Sequence, residues 1–234
     1  MKMHFGVMTA LITPLLNDGI TLNEKAYVEI IEDQIKNGVH SLLTMGGTGE
    51  SLTLPRETKK RAMELAVKTV NHRVPVIASV VELSVYDAIE SAKVVKESGA
   101  DVLLLSNPYG GNTRLSGVID FFKMVDDAVD MPMIIYNFPG RTGYNVTPDI
   151  VGKLLDAVPN ICGIKECAER FEQTMELIGH FGDRMAVLSG NEFLGAWEML
   201  CGADGCVVAT GNVMIKELVK LYDIAKSGDI AKTT

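Results

Sequence analysis

Ile161-Cys162-Gly163-Ile164-Lys165-Glu166 is a short apolar run that stops abruptly at a lysine and a glutamate. Read as a strand, it alternates faces: Ile161, Gly163 and Lys165 point one way, and Cys162, Ile164 and Glu166 the other. A lysine that shares a face with Ile161, above a glycine that leaves space beneath it, is shielded from bulk water. Desolvation disfavours its ammonium form and lowers the pKa, which yields a neutral amine able to attack a carbonyl. The plainer alternative is a strand-end lysine ion-paired with Glu166 or another neighbour.

Runs of the same kind recur along the chain, at 5–12, 41–44, 74–80, 102–105, 133–136, 186–189 and 206–209. Each is rich in Val, Ile, Leu or Met without polar alternation, as expected of parallel strands covered on both faces. Helix-period stretches fill the gaps. Thr21 and Glu24 have the spacing of a capping box, and the helix they open should bury Tyr27, Ile30, Ile31 and Ile35. Pro55 suits a first helical turn, Ser84 with Asp87 makes a second cap, and Thr147-Pro148 a third. Further helices are expected over 115–129, 169–181, 193–201 and 214–226, with Gly38, Gly99, Gly182 and Gly202 where helices should stop. Eight strand-then-helix units follow one another, with no two helices adjacent. The alternation implies a parallel sheet. No glycine-rich dinucleotide fingerprint follows the first strand, which favours a closed (β/α)8 barrel. The expected layout is one barrel over residues 1–226 and a short C-terminal tail at 227–234.

A chain of 234 residues is of ordinary length for one such barrel. Its formal charge of −8 argues against a nucleic-acid partner, which calls for a basic face. No apolar run reaches the ~20 residues of a membrane span. The N-terminal apolar stretch is interrupted by Pro14 and reads as a first strand instead of a signal peptide, so a cytoplasmic location is expected. Cys162, Cys167, Cys201 and Cys206 form no CxxC pair and read as free thiols. His4, His40, His72 and His180 are scattered, and no metal site is expected.

In a barrel of this kind, chemistry gathers at the C-terminal ends of the strands. Polar and glycine residues collect there in this sequence. After the second strand comes Gly46-Gly47-Thr48-Gly49-Glu50-Ser51, whose backbone N–H groups and Thr48 hydroxyl can hold an anion; as a tight turn it needs no ligand. Tyr136 shares a strand face with Ile134 and should point where Lys165 points, as a proton shuttle or as a core tyrosine with a satisfied hydroxyl. Arg141, in Pro139-Gly140-Arg141-Thr142-Gly143, can clamp a carboxylate through its planar fork, or stand as a solvated loop arginine. Taken together, anion cradle, lysine, tyrosine and arginine on one rim describe a site for a 2-keto acid. A different chemistry, a phosphate-binding barrel, rests on Gly190 and Gly211 after the seventh and eighth strands.

Three of these stretches carry a resemblance. Gly46-Gly47-Thr48-Gly49-Glu50, Tyr136-Asn137-Phe138-Pro139-Gly140-Arg141-Thr142-Gly143 and Gly163-Ile164-Lys165-Glu166 come in order, and the chain resembles the dihydrodipicolinate synthase and N-acetylneuraminate lyase family of class I aldolases along essentially its whole length. The resemblance implies a TIM barrel in which Lys165 forms a Schiff base with pyruvate or another 2-keto acid and Tyr136 relays protons. It implies that Thr48 and the backbone at Gly47 hold the keto acid's carboxylate. Arg141 looks like the residue that takes the second substrate's carboxylate, which leans toward condensation of pyruvate with aspartate semialdehyde. The lysine adduct replaces any cofactor, and a homo-oligomer, dimer or tetramer, is implied.

Two positions depart from the synthase pattern. Gly47 stands where that enzyme has a threonine of the proton relay, and Gly110 where it has a tyrosine contributed across a dimer interface, unless Tyr109 takes that role. A Gly-Gly-Thr-Gly-Glu loop also resembles the family's sugar-acid dehydratases. Asn191 and Glu192 lie where sugar-handling members contact hydroxyls. A 2-keto-3-deoxy sugar-acid aldolase or dehydratase is therefore the alternative activity, and a non-catalytic keto-acid-binding relative the alternative of another class. The family's C-terminal helical region is expected to be largely absent.

Overall fold

Eight short apolar runs close on themselves. The computed structural model describes residues 2–109 and 113–233, so Gly110 lies outside the described residues. The strands are β1 (Gly6–Ala10), β2 (Ser41–Thr44), β3 (Val76–Val80), β4 (Val102–Ser106), β5 (Met133–Asn137), β6 (Ile161–Glu166), β7 (Ala186–Ser189) and β8 (Gly205–Val208). They lie in sequential order and all pair in parallel, β8 back onto β1, forming a closed (β/α)8 TIM barrel. Every strand residue is buried, which explains the missing polar alternation.

The helices are α1 (Glu24–Lys36), α2 (Arg56–Val70), α3 (Val85–Glu97), α4 (Leu115–Val129), α5 (Pro139–Thr142), α6 (Pro148–Ala157), α7 (Phe171–Phe181), α8 (Gly195–Leu200), α9 (Gly211–Ser227) and α10 (Ile230–Thr233). Alternation is not strict, because α5 precedes α6 and α10 follows α9. α9 kinks at Met214, whose φ of −138° and ψ of 35° are not helical. The Ser84 cap forms as its spacing predicts, accepting from Asp87 N at 3.1 Å. The Thr21 capping box does not. Thr21 Oγ1 is held by Asp18, at 2.5 Å, and α1 is capped by Asn23, whose Oδ1 accepts from Ala26 N at 3.2 Å. A nearby aspartate outcompetes the helix for the threonine. No helix among the described residues is long and apolar enough to cross a membrane.

Two apolar layers result. One fills the barrel, with Met8, Leu43, Ile77, Leu104, Ile134 and Leu188. The other lies between strands and helices, with Tyr27, Leu42, Ile135 and Ile164. Each fully buried side chain of this size contributes about 1.5–3 kcal/mol. Ile161 belongs to the outer layer and Cys162 to the inner one, the reverse of simple alternation counted back from Lys165. The cause is a register shift: Met133 pairs with Ile161 but Ile134 with Gly163, which leaves Cys162 as an extra residue in β6.

Candidate active site

The C-terminal strand ends enclose a cavity of about 310 Å³. Gly47 and Thr48 reach it from the loop after β2, Tyr136 from β5, Arg141 from α5, Lys165 from β6, and Asn191 and Glu192 from the loop after β7. All seven residues singled out in the sequence line this one space.

Lys165 is only 8% exposed. Its register partner is Tyr136, and Nζ lies 4.7 Å from the centre of the Tyr136 ring. Burial holds the lysine pKa below its ordinary value; Cys167 and Glu192 oppose this and the Arg141 charge assists it. No ion pair with Glu166 exists. That carboxylate points between β6 and α7, where it accepts from Asn137 Nδ2 at 2.9 and 3.0 Å, Gln173 Nε2 at 2.9 Å and Ala168 N at 2.6 Å. Adjacent residues on a strand thus send the amine into the cavity and the carboxylate into a polar knot behind it.

Tyr136 is 5% exposed, and burial pushes its phenol pKa well up, so the hydroxyl keeps its proton. The Gly46–Ser51 segment is a pinned turn: Glu50 N donates to Gly47 O at 3.2 Å, Ser51 N to Gly46 O at 3.3 Å and Thr13 Oγ1 to Gly49 O at 2.8 Å. Gly49 is closely packed there: a Cβ would come within 3.1 Å of both Leu11 O and Thr13 Oγ1. Among the described residues, the backbone N–H groups of Gly47 and Thr48 and the Thr48 hydroxyl have no intramolecular hydrogen bond. They are free to bind an anion.

Arg141 sits on a single helical turn fixed by Gly143 N donating to Pro139 O at 2.9 Å. Its guanidinium lies over the Phe138 ring, 5.1 Å from the centre, and has no ion-pair partner among the described residues. Asn191 and Glu192 border the cavity but spend oxygens on the backbone. Asn191 Oδ1 accepts from Phe193 N at 2.8 Å and Leu194 N at 3.1 Å. Glu192 Oε1 accepts from Ala209 N and Thr210 N, both at 2.8 Å, and so ties the loop after β7 to the end of β8.

Among the lining features, Cys167 and Phe138 went unassigned in the sequence, and Gly190 was assigned to phosphate. Cys167 lines the cavity two residues beyond Lys165, its thiol pushed up to about 11 by burial. Phe138 forms a wall under Arg141. Gly190 is bare because a Cβ would collide with Cys167 Sγ and come within 3.3 Å of Lys165 Cε. Strand parity beyond residue 165 was the available signal for Cys167. The Gly190 and Gly211 pair that motivated a phosphate site is explained by packing, since a Cβ on Gly211 would strike Thr9. A second cavity, of about 140 Å³ between α2 and α3, offers no free amine: its Lys59 pairs with Glu82 at 3.4 Å.

The model of the dihydrodipicolinate synthetase family matches residues 3–234. The 4-hydroxy-tetrahydrodipicolinate synthase of Geotalea uraniireducens is 39% identical over 226 residues, covering 97% of this chain and 77% of the relative. That of Desulfotalea psychrophila is 37% identical over 229 residues, covering 98% of this chain and 76% of the relative. Among solved structures, the chloride-inhibited dihydrodipicolinate synthase from Acinetobacter baumannii complexed with pyruvate superposes with a TM-score of 0.94 at 33% identity, covering 99% of this chain and 79% of that one.

Proposed function

The chain belongs to the dihydrodipicolinate synthetase family, and we propose that it is a class I enzyme in which Lys165 forms a Schiff base with pyruvate or a related 2-keto acid. The observation that carries this is the buried Lys165 amine, without a carboxylate partner among the described residues, against the face of Tyr136. Desolvation lowers the lysine pKa and so favours the neutral amine that nucleophilic attack requires.

The chemistry then needs no further electron sink. Nζ attacks the keto carbon, forming a C–N bond and a carbinolamine. Loss of its oxygen as water leaves a protonated imine. A proton leaves the neighbouring carbon to give an enamine, whose carbon attacks an aldehyde while the aldehyde oxygen takes up a proton. Water then releases the product and restores the amine; run backwards, the same steps cleave. The Tyr136 phenol, kept protonated by burial, serves the proton transfers at the carbinolamine oxygen. The Gly47–Thr48 N–H groups and the Thr48 hydroxyl take the keto acid's carboxylate. Arg141 faces the second substrate, and its unpaired guanidinium favours a carboxylate-bearing aldehyde such as aspartate semialdehyde.

A second reading, a 2-keto-3-deoxy sugar-acid aldolase or dehydratase, is supported by Gly47, which brings no hydroxyl to the proton relay. Exposed Leu83 and Tyr86, at 77% and 75%, support self-association into a dimer or tetramer, which sedimentation tests. The decisive experiment for the chemistry is borohydride reduction in the presence of pyruvate, followed by peptide mapping. A pyruvyl adduct on Lys165 is expected; an unlabelled Lys165 refutes the Schiff base. Assaying pyruvate with aspartate semialdehyde beside 2-keto-3-deoxy sugar acids separates the two reactions.

A further inference from the structure

A cavity whose turn offers free N–H groups to an anion is also lined by an acid, Glu169, from the loop between β6 and α7. Its carboxylate is exposed and has no hydrogen bond or ion pair among the described residues. The other carboxylate on this wall, Glu192, is tied to the backbone by Ala209 N and Thr210 N. Arg141 lines the same space and is unpaired as well, so two opposite charges face one cavity without neutralising each other. A free carboxylate beside an anion-binding turn repels a purely anionic guest. It becomes favourable when the guest brings a positive charge of its own.

The backbone at Glu169 adds a second, independent observation. Its φ of 56° is left-handed, a conformation that suits glycine or asparagine. Both neighbours are pinned: Ala168 N donates to Glu166 Oε1 at 2.6 Å, and Arg170 O accepts from Gln173 N at 3.1 Å where α7 begins. Asn71 and Asp130 share the left-handed region, but each is the C-cap of a helix. Glu169 precedes α7 and closes no helix. Nothing in the turn calls for a glutamate, and strain of this kind gathers where a side chain serves a ligand.

We propose that Glu169 is a specificity-determining residue that takes the ammonium group of the second substrate, and so selects an aldehyde carrying an amino group over a sugar acid, which has none. This deepens the reading of the site given above and rests on it for the identity of the first substrate. The basis is separate from the lysine chemistry: it needs only a free carboxylate on the cavity wall and a cationic group on the guest.

The test is calorimetry on the full chain with two non-reacting probes, aspartate and succinate, which differ by one ammonium group. Wild type should bind aspartate about fivefold more tightly, the upper range of an exposed ion pair. That preference should shrink as salt is raised. Glu169→Gln keeps the strained backbone and removes the charge; it should lose the preference and bind succinate at least as well as wild type does. Glu169→Gly relieves the backbone and should give the same result, which separates charge from conformation. A merely structural role would weaken both probes together. The proposal is overturned if wild type binds aspartate no more tightly than succinate, if Glu169→Gln retains the preference, or if only Glu169→Gly loses it. Borohydride trapping of pyruvate is scored separately: its failure removes the Schiff-base reading and leaves the outcome with these probes intact.

Discussion

Lys165 Nζ stands over the face of the Tyr136 ring, 4.7 Å from its centre, and the two residues are direct neighbours across β5 and β6. The contact does two things at once. When the amine is charged, the ring's negative face offsets part of its desolvation, by about 0.5–2 kcal/mol. It also fixes nitrogen and phenol on one rigid pair of strands, so their spacing depends on sheet register instead of loop conformation.

Replacing Lys165 with methionine should abolish turnover and borohydride labelling while making the protein more stable near neutral pH, by about 0.5–2 kcal/mol. The sign follows from the depressed lysine pKa. Below the folded-state value both states are protonated and the native state carries the full cost of a buried charge. That cost fades as pH rises toward the ordinary lysine value. The stability gain of Lys165→Met should therefore shrink in alkaline buffer, as urea titrations across pH will show. A variant less stable than wild type at pH 7 contradicts the buried-amine assignment.

Tyr136→Phe keeps the ring under the amine and removes only the hydroxyl. Turnover should fall by about 10²–10⁴-fold. The lysine adduct should still be trapped with pyruvate, since the nucleophile and its burial are untouched. Unchanged turnover would remove Tyr136 from the proton relay.

Glu166 faces away from the cavity and gathers Asn137, Gln173 and Ala168 N around one buried carboxylate. Glu166→Leu strands those donors and should cost about 3 kcal/mol in chemical denaturation. Asn137 lies next to Tyr136 and Glu166 next to Lys165, so activity should fall more than stability alone explains. A loss under 0.5 kcal/mol would show that the knot is not structural.

Thiol chemistry gives an independent check of burial. Cys162 and Cys167 are pushed up to about 11 and Cys206 to about 12, all by desolvation, whereas Cys201 is exposed. Native protein treated with iodoacetamide at pH 8 should take one adduct, at Cys201, with the other three reacting only in denaturant. Labelling of Cys167 as fast as Cys201 would mean that Cys167 is not buried in the native protein.

The barrel was legible because parallel strands covered on both faces leave uninterrupted apolar runs, and turn and cap residues punctuate them. The seven lining residues were legible because β/α topology sends strand ends to one rim. Finer features were not. Whether Thr21 or Asn23 caps α1 depends on Asp18, a competition that residue spacing does not encode. The four-residue α5 is too short to show a helical period. Asn191 and Glu192 were found as rim residues, but which oxygens serve the backbone depends on how the β7 and β8 loops meet in space. Nor does any pattern in the chain announce that Arg141 fills the space above Gly47, since the two stand 94 positions apart.

The extra residue at Cys162 also sets a rule of parity for this strand. Below it, Ile161 is anchored to Met133; above it, Gly163 and Lys165 keep step with Ile134 and Tyr136. Deleting Cys162 would merely make the pairing regular and leave the amine facing inward. Deleting Ile164, two positions on, would exchange the roles of Lys165 and Glu166, handing an acid to the interior and a base to the helices. Deletions of equal size, two residues apart, therefore have opposite fates for catalysis.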